Sequence, residues 1–375
     1  MADPTLLITV YVFLIGLLLA LGILLAFMPY LMRRQECFSV TVPAASVNDP
    51  YLRKLKRRFA TIMCALTAVL FIAVSIVFYI DASKQWDTLD YFLVAGDVIL
   101  IVAYYALMLV FRKNVRAYKE QQGWRADAQR VSAIIGEEPP SKISFKWNLI
   151  YLLIMVITAI IGATVYPSIP NEIPMNINLD GAVTNWMQKS PAVVAFPVIV
   201  EGFLGACFAG SHGVILRSRK WSDPGAPATS ALAYGLYARA WSVFSLVFGS
   251  LLSICIGALF LLSALRLVSL SVVCIVVFVV VISMMISAMA LSVVYGQVGS
   301  RVFKRMQDSK TMPEDSDEHW KAGIIYFNPE DASVFLPERF GIGWTFNWAR
   351  PASWVILIGF ALVVVVFIVA VRAMV

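Results

Sequence analysis

The sequence predicts an all-α membrane protein, a polytopic bundle of about eight transmembrane helices. Hydrophobic residues make up 60% of the chain and charged residues 14%, and the mean hydropathy is +0.80. A water-soluble domain of this composition would have an apolar surface, so a lipid bilayer is the natural solvent. All Lys and Arg residues except Lys84, Lys189, Arg266 and Arg372 fall in four stretches between long apolar runs. The apolar runs are continuous rather than alternating, which argues against a membrane β-barrel.

A helix needs about 20 apolar residues to cross the hydrocarbon core of a bilayer. Eight runs meet this requirement. They cover approximately residues 5–32, 59–80, 91–111, 147–166, 190–216, 240–264, 267–297 and 352–372. We therefore expect a multi-pass protein that contacts the lipid bilayer over most of its length.

The basic stretches predict the orientation of the chain in the membrane. The four stretches lie within residues 33–58, 112–146, 217–239 and 301–350. Basic loops of membrane proteins remain on the cytoplasmic side. Because the number of spans is even, both termini are expected outside, an N-out/C-out topology. The first apolar run begins after four residues and has no small-residue cleavage site, so we interpret it as an anchor rather than a signal peptide. The net charge of +7 is explained by these juxtamembrane loops, and no nucleic-acid partner is expected.

Metal and cofactor chemistry finds little support in the sequence. The five cysteines form no CxxC pair, and four of them lie inside predicted spans. His212 and His319 are the only two histidines, so a histidine-based metal centre cannot be assembled. We also find no nucleophile-and-base motif and no phosphate-binding loop. No metal, no cofactor and no enzymatic activity are therefore expected, although an intramembrane Glu with a His could in principle do acid–base chemistry.

The loop after the fourth span differs from an ordinary linker. Three prolines fall within residues 167–174, and prolines favour a rigid, extended path. Trp186 and Lys189 suit the membrane interface just before the fifth span. The loop is either a structural connection or a surface that recognises something outside the cell. The candidate binding residues are Pro174, Asn176, Asn178, Gly181, Trp186 and Lys189.

This loop resembles the bacterial membrane family called domain of unknown function 1648, which includes the immunity protein against the sporulation-delaying toxin. The family motif is approximately Pro-x-x-Ile-Pro-x-His-x-Asn-x-x-Gly, followed by Trp and Lys. The residues in register here are Ile173, Pro174, Asn178, Gly181, Trp186 and Lys189. Asn176 occupies the histidine position, so a proton or metal role of that histidine does not carry over. The resemblance implies a bacterial cytoplasmic-membrane protein with an immunity-like or sensor-like role.

The last basic stretch, expected on the cytoplasmic side, has candidate functional residues at Trp320, Tyr326, Asn328, Pro329, Arg339, Trp344 and Asn347. Through these residues the stretch resembles the family called domain of unknown function 5808. The segment 313–350 is too short to bury a core of its own. Residues 328–331 predict a turn between two short extended pieces, and Gly341 and Gly343 predict a second bend. We expect the segment to pack on the cytoplasmic face of the bundle, where it could gate or dock a regulator.

The polar candidates inside the predicted spans are Glu201, His212 and Asp97. Glu201 is halfway along the fifth span, where a charged side chain costs about 2.5–3.5 kcal/mol. Glu201, Gly205, Phe208 and His212 share one helix face because of their spacing. That face either lines a cavity or packs against another helix while Glu201 finds one buried partner. Asp97 in the third span is the remaining intramembrane candidate.

The sequence thus predicts four regions. They are an N-terminal three-helix region (1–146), a helix-loop-helix region (147–216), a region with the sixth and seventh helices (217–312), and a C-terminal segment with the last helix (313–375). The leading expectation is immunity or signal sensing through an extracellular peptide, toxin or envelope signal, with a cytoplasmic regulator as candidate partner. The alternative is a proton-coupled transporter that uses Glu201 and His212, with Asp97 assisting.

Overall fold

The structure is a computed structural model that describes residues 4–33, 35–84, 89–125, 142–177, 183–219, 227–302, 317–341 and 343–374. Eight helices in these ranges are long and apolar enough to cross a membrane. They are α1 (Pro4–Leu31), α2 (Pro50–Lys84), α3 (Leu89–Gln121), α4 (Leu149–Val165), α5 (Ala192–Arg217), α6 (Pro227–Ala264), α7 (Leu270–Tyr295) and α8 (Pro351–Met374). The predicted helical membrane class and the eight spans are therefore confirmed by length and composition.

Three helices extend beyond the apolar runs that predicted them. α2 begins at Pro50, where Asp49 Oδ1 accepts the Tyr51 backbone N–H at 2.7 Å and caps the helix. α6 begins at Pro227, and α3 continues to Gln121. The apolar pattern marks only the part of a helix that lies in lipid, whereas Lys, Arg and Glu continue a helix into water at little cost. Part of the basic stretch 112–146 is thus the end of α3, and residues 126–141 of that stretch lie outside the described ranges.

The helices form two groups with two further helices beside them. α1, α2 and α3 pack against one another, and α4, α5 and α6 do the same. α7 packs on α6 and α1, while α8 packs on α5, where the rings of Phe203 and Phe367 stack at 4.2 Å. Large apolar side chains remain exposed along the outer faces of the helices, as expected of a bundle surrounded by lipid.

The helix ends carry four short antiparallel hairpins that an all-α prediction does not include. Each is a two-stranded sheet. They pair β1 (Glu36–Cys37) with β2 (Val40–Thr41), β3 (Glu172–Ile177) with β4 (Val183–Gln188), β5 (Trp320–Lys321) with β6 (Ile325–Tyr326), and β7 (Phe335–Pro337) with β8 (Trp344–Phe346). The β3–β4 hairpin lies at one end of the bundle. The other three lie at the opposite end, which we call the basic end because the basic stretches are there.

The C-terminal segment, defined here as residues 317–341 and 343–350, contains the predicted turns. Residues 328–331 connect β6 to β7, and Gly341 and Gly343 lie between β7 and β8, as the sequence predicts. An isolated bridge from Tyr326 to Asn347 joins the two hairpins. The segment has a small hydrophobic core of Trp320, Tyr326 and Leu336. Because this core is small, the segment depends on contacts with the helices for its stability.

Candidate functional site

The β3–β4 hairpin has one face on the bundle and one face in solvent. Ile173 pairs with Met187, and both are buried against the helix ends in a cluster that includes Val193. The next pair in the ladder is Pro174 with Trp186, whose indole is 45% exposed. Side chains alternate between the faces of a strand, so burial of one pair turns the next one outward. Two residues selected from the sequence are thus brought together on the solvent face.

Two basic side chains fix this hairpin. Lys189 Nζ donates to the carbonyls of Pro167 and Ile169 at 3.2 and 2.7 Å, which ties the proline-rich turn to the end of β4. Arg266, in the α6–α7 connection, donates to the Glu172 carbonyl at 3.2 Å. Its guanidinium also lies 5.8 Å from the Trp186 ring centre, a cation–π contact. The hairpin is therefore held in place before any ligand arrives.

The other candidate residues of this loop have different positions. Asn176 is exposed on β3 and pairs with Asn185 in the ladder. Asn178 and Gly181 lie outside the described residues. Sequence reasoning did not select Arg266, yet a signal existed, because Arg266 is one of the few basic residues outside the four basic stretches.

Glu201 is buried where three helices meet. Its Oε1 accepts the hydroxyl of Thr158 on α4 at 2.7 Å. A Cβ atom added to Gly257 on α6 would lie only 1.9 Å from that oxygen, so the carboxyl group fills the space that the glycine leaves. Within the described residues, Glu201 Oε2 has no hydrogen-bond partner. The face carrying Glu201 therefore packs against α4 and α6, with a single buried partner for the acid.

The polar residues of the spans do not form one cluster. His212 is fully buried, and its Nδ1 lies 2.9 Å from the Asn148 amide nitrogen, about 16 Å along α5 from Glu201. The Phe208 ring lies between them and packs where α6 has Gly249. Asp97 is on α3, which packs against α1 and α2 rather than beside α5 in the main helix contacts. The described residues contain no group of three His, Cys, Asp or Glu side chains suited to a metal ion.

The predicted motif residues of the C-terminal segment build its interior. Asn347 is fully buried, and its amide donates to the carbonyls of Asn328 and Asp331 at 2.8 and 2.9 Å. The Tyr326 hydroxyl donates to Asp331 Oδ2 at 3.0 Å, and Asn328 Nδ2 donates to Tyr326 at 3.3 Å. Pro329 is exposed in the turn that these bonds fix. These residues therefore specify the shape of the segment.

Asp317 joins the C-terminal segment to the N-terminal helix group. Lys119 Nζ on α3 donates to Asp317 Oδ2 at 2.8 Å, and the Thr41 hydroxyl on β2 donates to Oδ1 at 2.8 Å. Arg339 also pairs with Asp317, contacts Glu36 Oε1 at 3.4 Å, and places its guanidinium 5.1 Å from the Trp320 ring centre. Burial alone would raise the pKa of Asp317, but Arg339 and Lys119 hold this pKa at about 2.

The β1–β2 turn that receives the segment is strained. Phe38 and Ser39 have φ values of +48° and +62°, a conformation that L side chains rarely adopt. The Phe38 ring is buried between Phe59 and Phe111, and Ser39 Oγ donates to the Gly323 carbonyl at 3.0 Å. Such turns persist only where surrounding contacts determine them, so this junction is a specific docking point for the segment.

The segment also contacts α6 and the ends of α5 and α7. Gln297, just after α7, makes two hydrogen bonds with the Gly343 backbone, at 2.8 and 3.1 Å. Arg219, just after α5, donates to Asp331 Oδ2 at 2.7 Å. The Trp344 ring lies 6.1 Å from that of Tyr237 on α6. The segment therefore connects the two helix groups at the basic end.

The eight membrane-length apolar helices and their connecting hairpins define a polytopic helical membrane protein. Comparison with known families matches residues 153–200 to a Domain of unknown function (DUF1648) and residues 329–354 to a Family of unknown function (DUF5808). Both resemblances inferred from the sequence are confirmed. The first match covers most of α4, both strands of the β3–β4 hairpin and the start of α5, and the second covers β7, β8 and the start of α8. No curated protein and no solved structure matches the chain.

Proposed function

We propose that this chain is a bacterial cytoplasmic-membrane protein of the immunity or signal-sensing type, which recognises an extracellular peptide or envelope signal through the β3–β4 hairpin. The observation that carries the proposal is the exposed Trp186, paired with the half-buried Pro174 on a hairpin that Lys189 and Arg266 hold in place. Preorganised aromatic side chains provide much of the affinity in peptide recognition, because little entropy is lost when they bind.

The geometry of the hairpin favours an extended peptide as the ligand. β3 and β4 pair with each other and with no third strand among the described residues. Each strand therefore has an outer edge, and an extended peptide can add to such an edge through backbone hydrogen bonds. In the sensing version, the C-terminal segment reports the event to a cytoplasmic regulator, because it contacts both helix groups.

Trp186→Ala is expected to impair the external response without removing the protein from the membrane. Loss of an exposed aromatic anchor should weaken recognition by about 2 kcal/mol, and Pro174→Ala should weaken it through loss of rigidity. The assay compares survival and envelope-stress signalling of cells that carry each variant at matched membrane abundance. Trp147→Ala is the control, because Trp147 is also exposed but lies at the basic end. Normal responses from both hairpin variants would refute recognition by the hairpin.

The proposal requires the hairpin to face outward, and thiol labelling tests this. Cysteine at Ser168, which is exposed, should react with an impermeant reagent in intact cells, because basic loops stay in the cytoplasm. Cysteine at Glu318, exposed at the basic end, should react only after the cells are opened. The parent chain with its native cysteines is the background control, and the reverse labelling pattern would overturn the orientation.

The alternative function is proton-coupled transport, which Glu201 supports because a buried carboxyl oxygen without a partner is costly in a membrane. Glu201→Gln should preserve folding and insertion, since the Gln carbonyl can still accept the Thr158 hydroxyl. Membrane abundance and thermal unfolding of the purified variant measure this. An unchanged survival or signalling response in Glu201→Gln cells would remove the main residue of the transport alternative, whereas its loss would favour transport.

A further inference from the structure

A cavity of about 450 Å³ opens at the basic end between the last turns of α3, strand β2 and the start of the C-terminal segment. Four cationic side chains line it, those of Arg112, Arg116, Lys119 and Arg125. We propose that this cavity binds a phosphate-bearing ligand, through its arginine side chains. The proposal is independent of the recognition role of the β3–β4 hairpin.

The end of α3 gathers these cations. Arg112, Arg116 and Lys119 are four and three residues apart, so they share one face of the helix. The helix ends at Gln121 and is followed by Gly123, whose φ is +64°. The Gly123 N–H donates to the Glu120 carbonyl and the Trp124 N–H to the Lys119 carbonyl, both at 3.2 Å. This is the Schellman pattern of helix termination. It reverses the chain and adds residues 124 and 125 to the cavity wall.

The cavity wall also carries three carboxylates, which do not cancel its four positive charges; they belong to Glu120, Asp317 and Glu318. Glu318 is 79% exposed, so solvent screens its charge. Asp317 forms ion pairs with Lys119 and with Arg339. Arg339 is not one of the residues that line the cavity, so the charge of Asp317 is neutralised partly by a cation outside the cavity. Glu120 pairs with Arg116 at 3.5 Å, but both side chains are 71% exposed, and such a surface pair contributes little. Arg116 can therefore turn toward an anion at small cost.

The wall also offers an apolar surface. The Trp124 ring is half-buried and packs edge-on against Tyr118, with ring centres 5.6 Å apart. An indole fixed beside several guanidinium groups suits a ligand that carries a phosphate and a less polar part. Arginine matches phosphate in particular, because its planar fork donates two parallel hydrogen bonds to phosphate oxygens.

The position of the cavity leaves two sources for the phosphate. The apolar part of α3 ends at Phe111, and Arg116 lies about 7 Å further along the helix. The cavity is therefore beyond the hydrocarbon core, within reach of lipid headgroups and of solutes. The chemistry is the same for a phospholipid headgroup and for a free phosphate compound, so the experiment must separate them.

The test uses the purified full chain in nanodiscs of phosphatidylcholine. Equilibrium dialysis with inorganic pyrophosphate measures binding of a free phosphate compound. The unfolding temperature in discs with about one third phosphatidylglycerol measures stabilisation by a phospholipid headgroup. Arg116→Gln with Arg125→Gln should weaken pyrophosphate binding at least tenfold, or abolish the stabilisation by phosphatidylglycerol. Lys54→Gln with Arg58→Gln is the control, since it removes the same charge from exposed positions on α2 outside the lining.

Each outcome of this test decides the proposal. Saturable pyrophosphate binding that only the cavity variant loses supports a soluble phosphate ligand. Stabilisation by phosphatidylglycerol that only the cavity variant loses supports a lipid headgroup. Equal losses in both double variants would mean that general surface charge attracts the anions, and this would overturn the proposal. Absence of any response to either probe in the parent chain would overturn it as well.

Discussion

Asp317→Asn is expected to release the C-terminal segment from the N-terminal helix group and to lower the free energy of unfolding by about 3 kcal/mol. Removal of one partner from a buried ion pair leaves the other charges uncompensated, and such losses reach about 3–5 kcal/mol. We take the lower end because the Asp317 side chain is 21% exposed. Lys119 and Arg339 would then lie together without their shared carboxylate. Denaturant unfolding in detergent and trypsin cleavage at the exposed Lys321 measure the two effects.

Glu318→Gln is the matched control for this prediction. Glu318 is the next residue and is 79% exposed, so its substitution should change the unfolding free energy by less than about 0.5 kcal/mol. If the two variants unfold alike and resist trypsin alike, the ion cluster does not hold the segment. Lys119→Met combined with Asp317→Asn should cost less than the sum of the two single substitutions, because the pair interacts directly.

The stability of the segment should also depend on pH. The pKa of Asp317 is lowered to about 2 in the folded protein, from 3.8. A carboxyl group with a depressed pKa stabilises the folded state above its unfolded pKa, and this contribution is lost as pH falls through the folded value. The parent chain should therefore lose stability between about pH 4 and pH 2. Asp317→Asn should lack this component of the acid transition.

Gly257→Ala is the second substitution with a large expected effect. The added Cβ would lie 1.9 Å from Glu201 Oε1 and 3.0 Å from Thr158 Oγ1, so the carboxyl group must move from its site between α4 and α6. Overpacking of this kind costs about 2 kcal/mol, and here it also disturbs the buried hydrogen bond to Thr158. Thermal unfolding of the purified protein and its membrane abundance would measure the loss.

Two further variants identify the cause of that loss. Gly210→Ala on α5 should be nearly neutral, because a Cβ there meets nothing within 4 Å. In a Glu201→Ala background, Gly257→Ala should cost much less, since the oxygen it collides with is gone. If Gly257→Ala were equally costly with and without the Glu201 carboxyl group, the collision with that group would not be the cause of the loss.

The sequence by itself determined the membrane class and the number of spans. Hydropathy is sufficient for this, because a segment in lipid must satisfy its own backbone hydrogen bonds and therefore forms a helix. The same local information predicted the turn at residues 328–331 and the bend near Gly341. The motif residues indicated the resemblance to both families. It also placed Glu201 and His212 on one face of α5, since helix periodicity is a local property.

Only the tertiary structure decided which side chains meet. The Arg266 contact with Trp186 and the Asp317 cluster join residues that are far apart in the chain, and no local pattern encodes such contacts. The Pro174–Trp186 pair depends on the register of the β3–β4 hairpin, which is irregular after Pro174. The same holds for Glu201. The sequence allows its helix face either to line a cavity or to pack against another helix, and the contacts with Thr158 and Gly257 show that the face is packed. Periodicity gives the direction in which a side chain points, whereas the element packed in that direction depends on the whole fold.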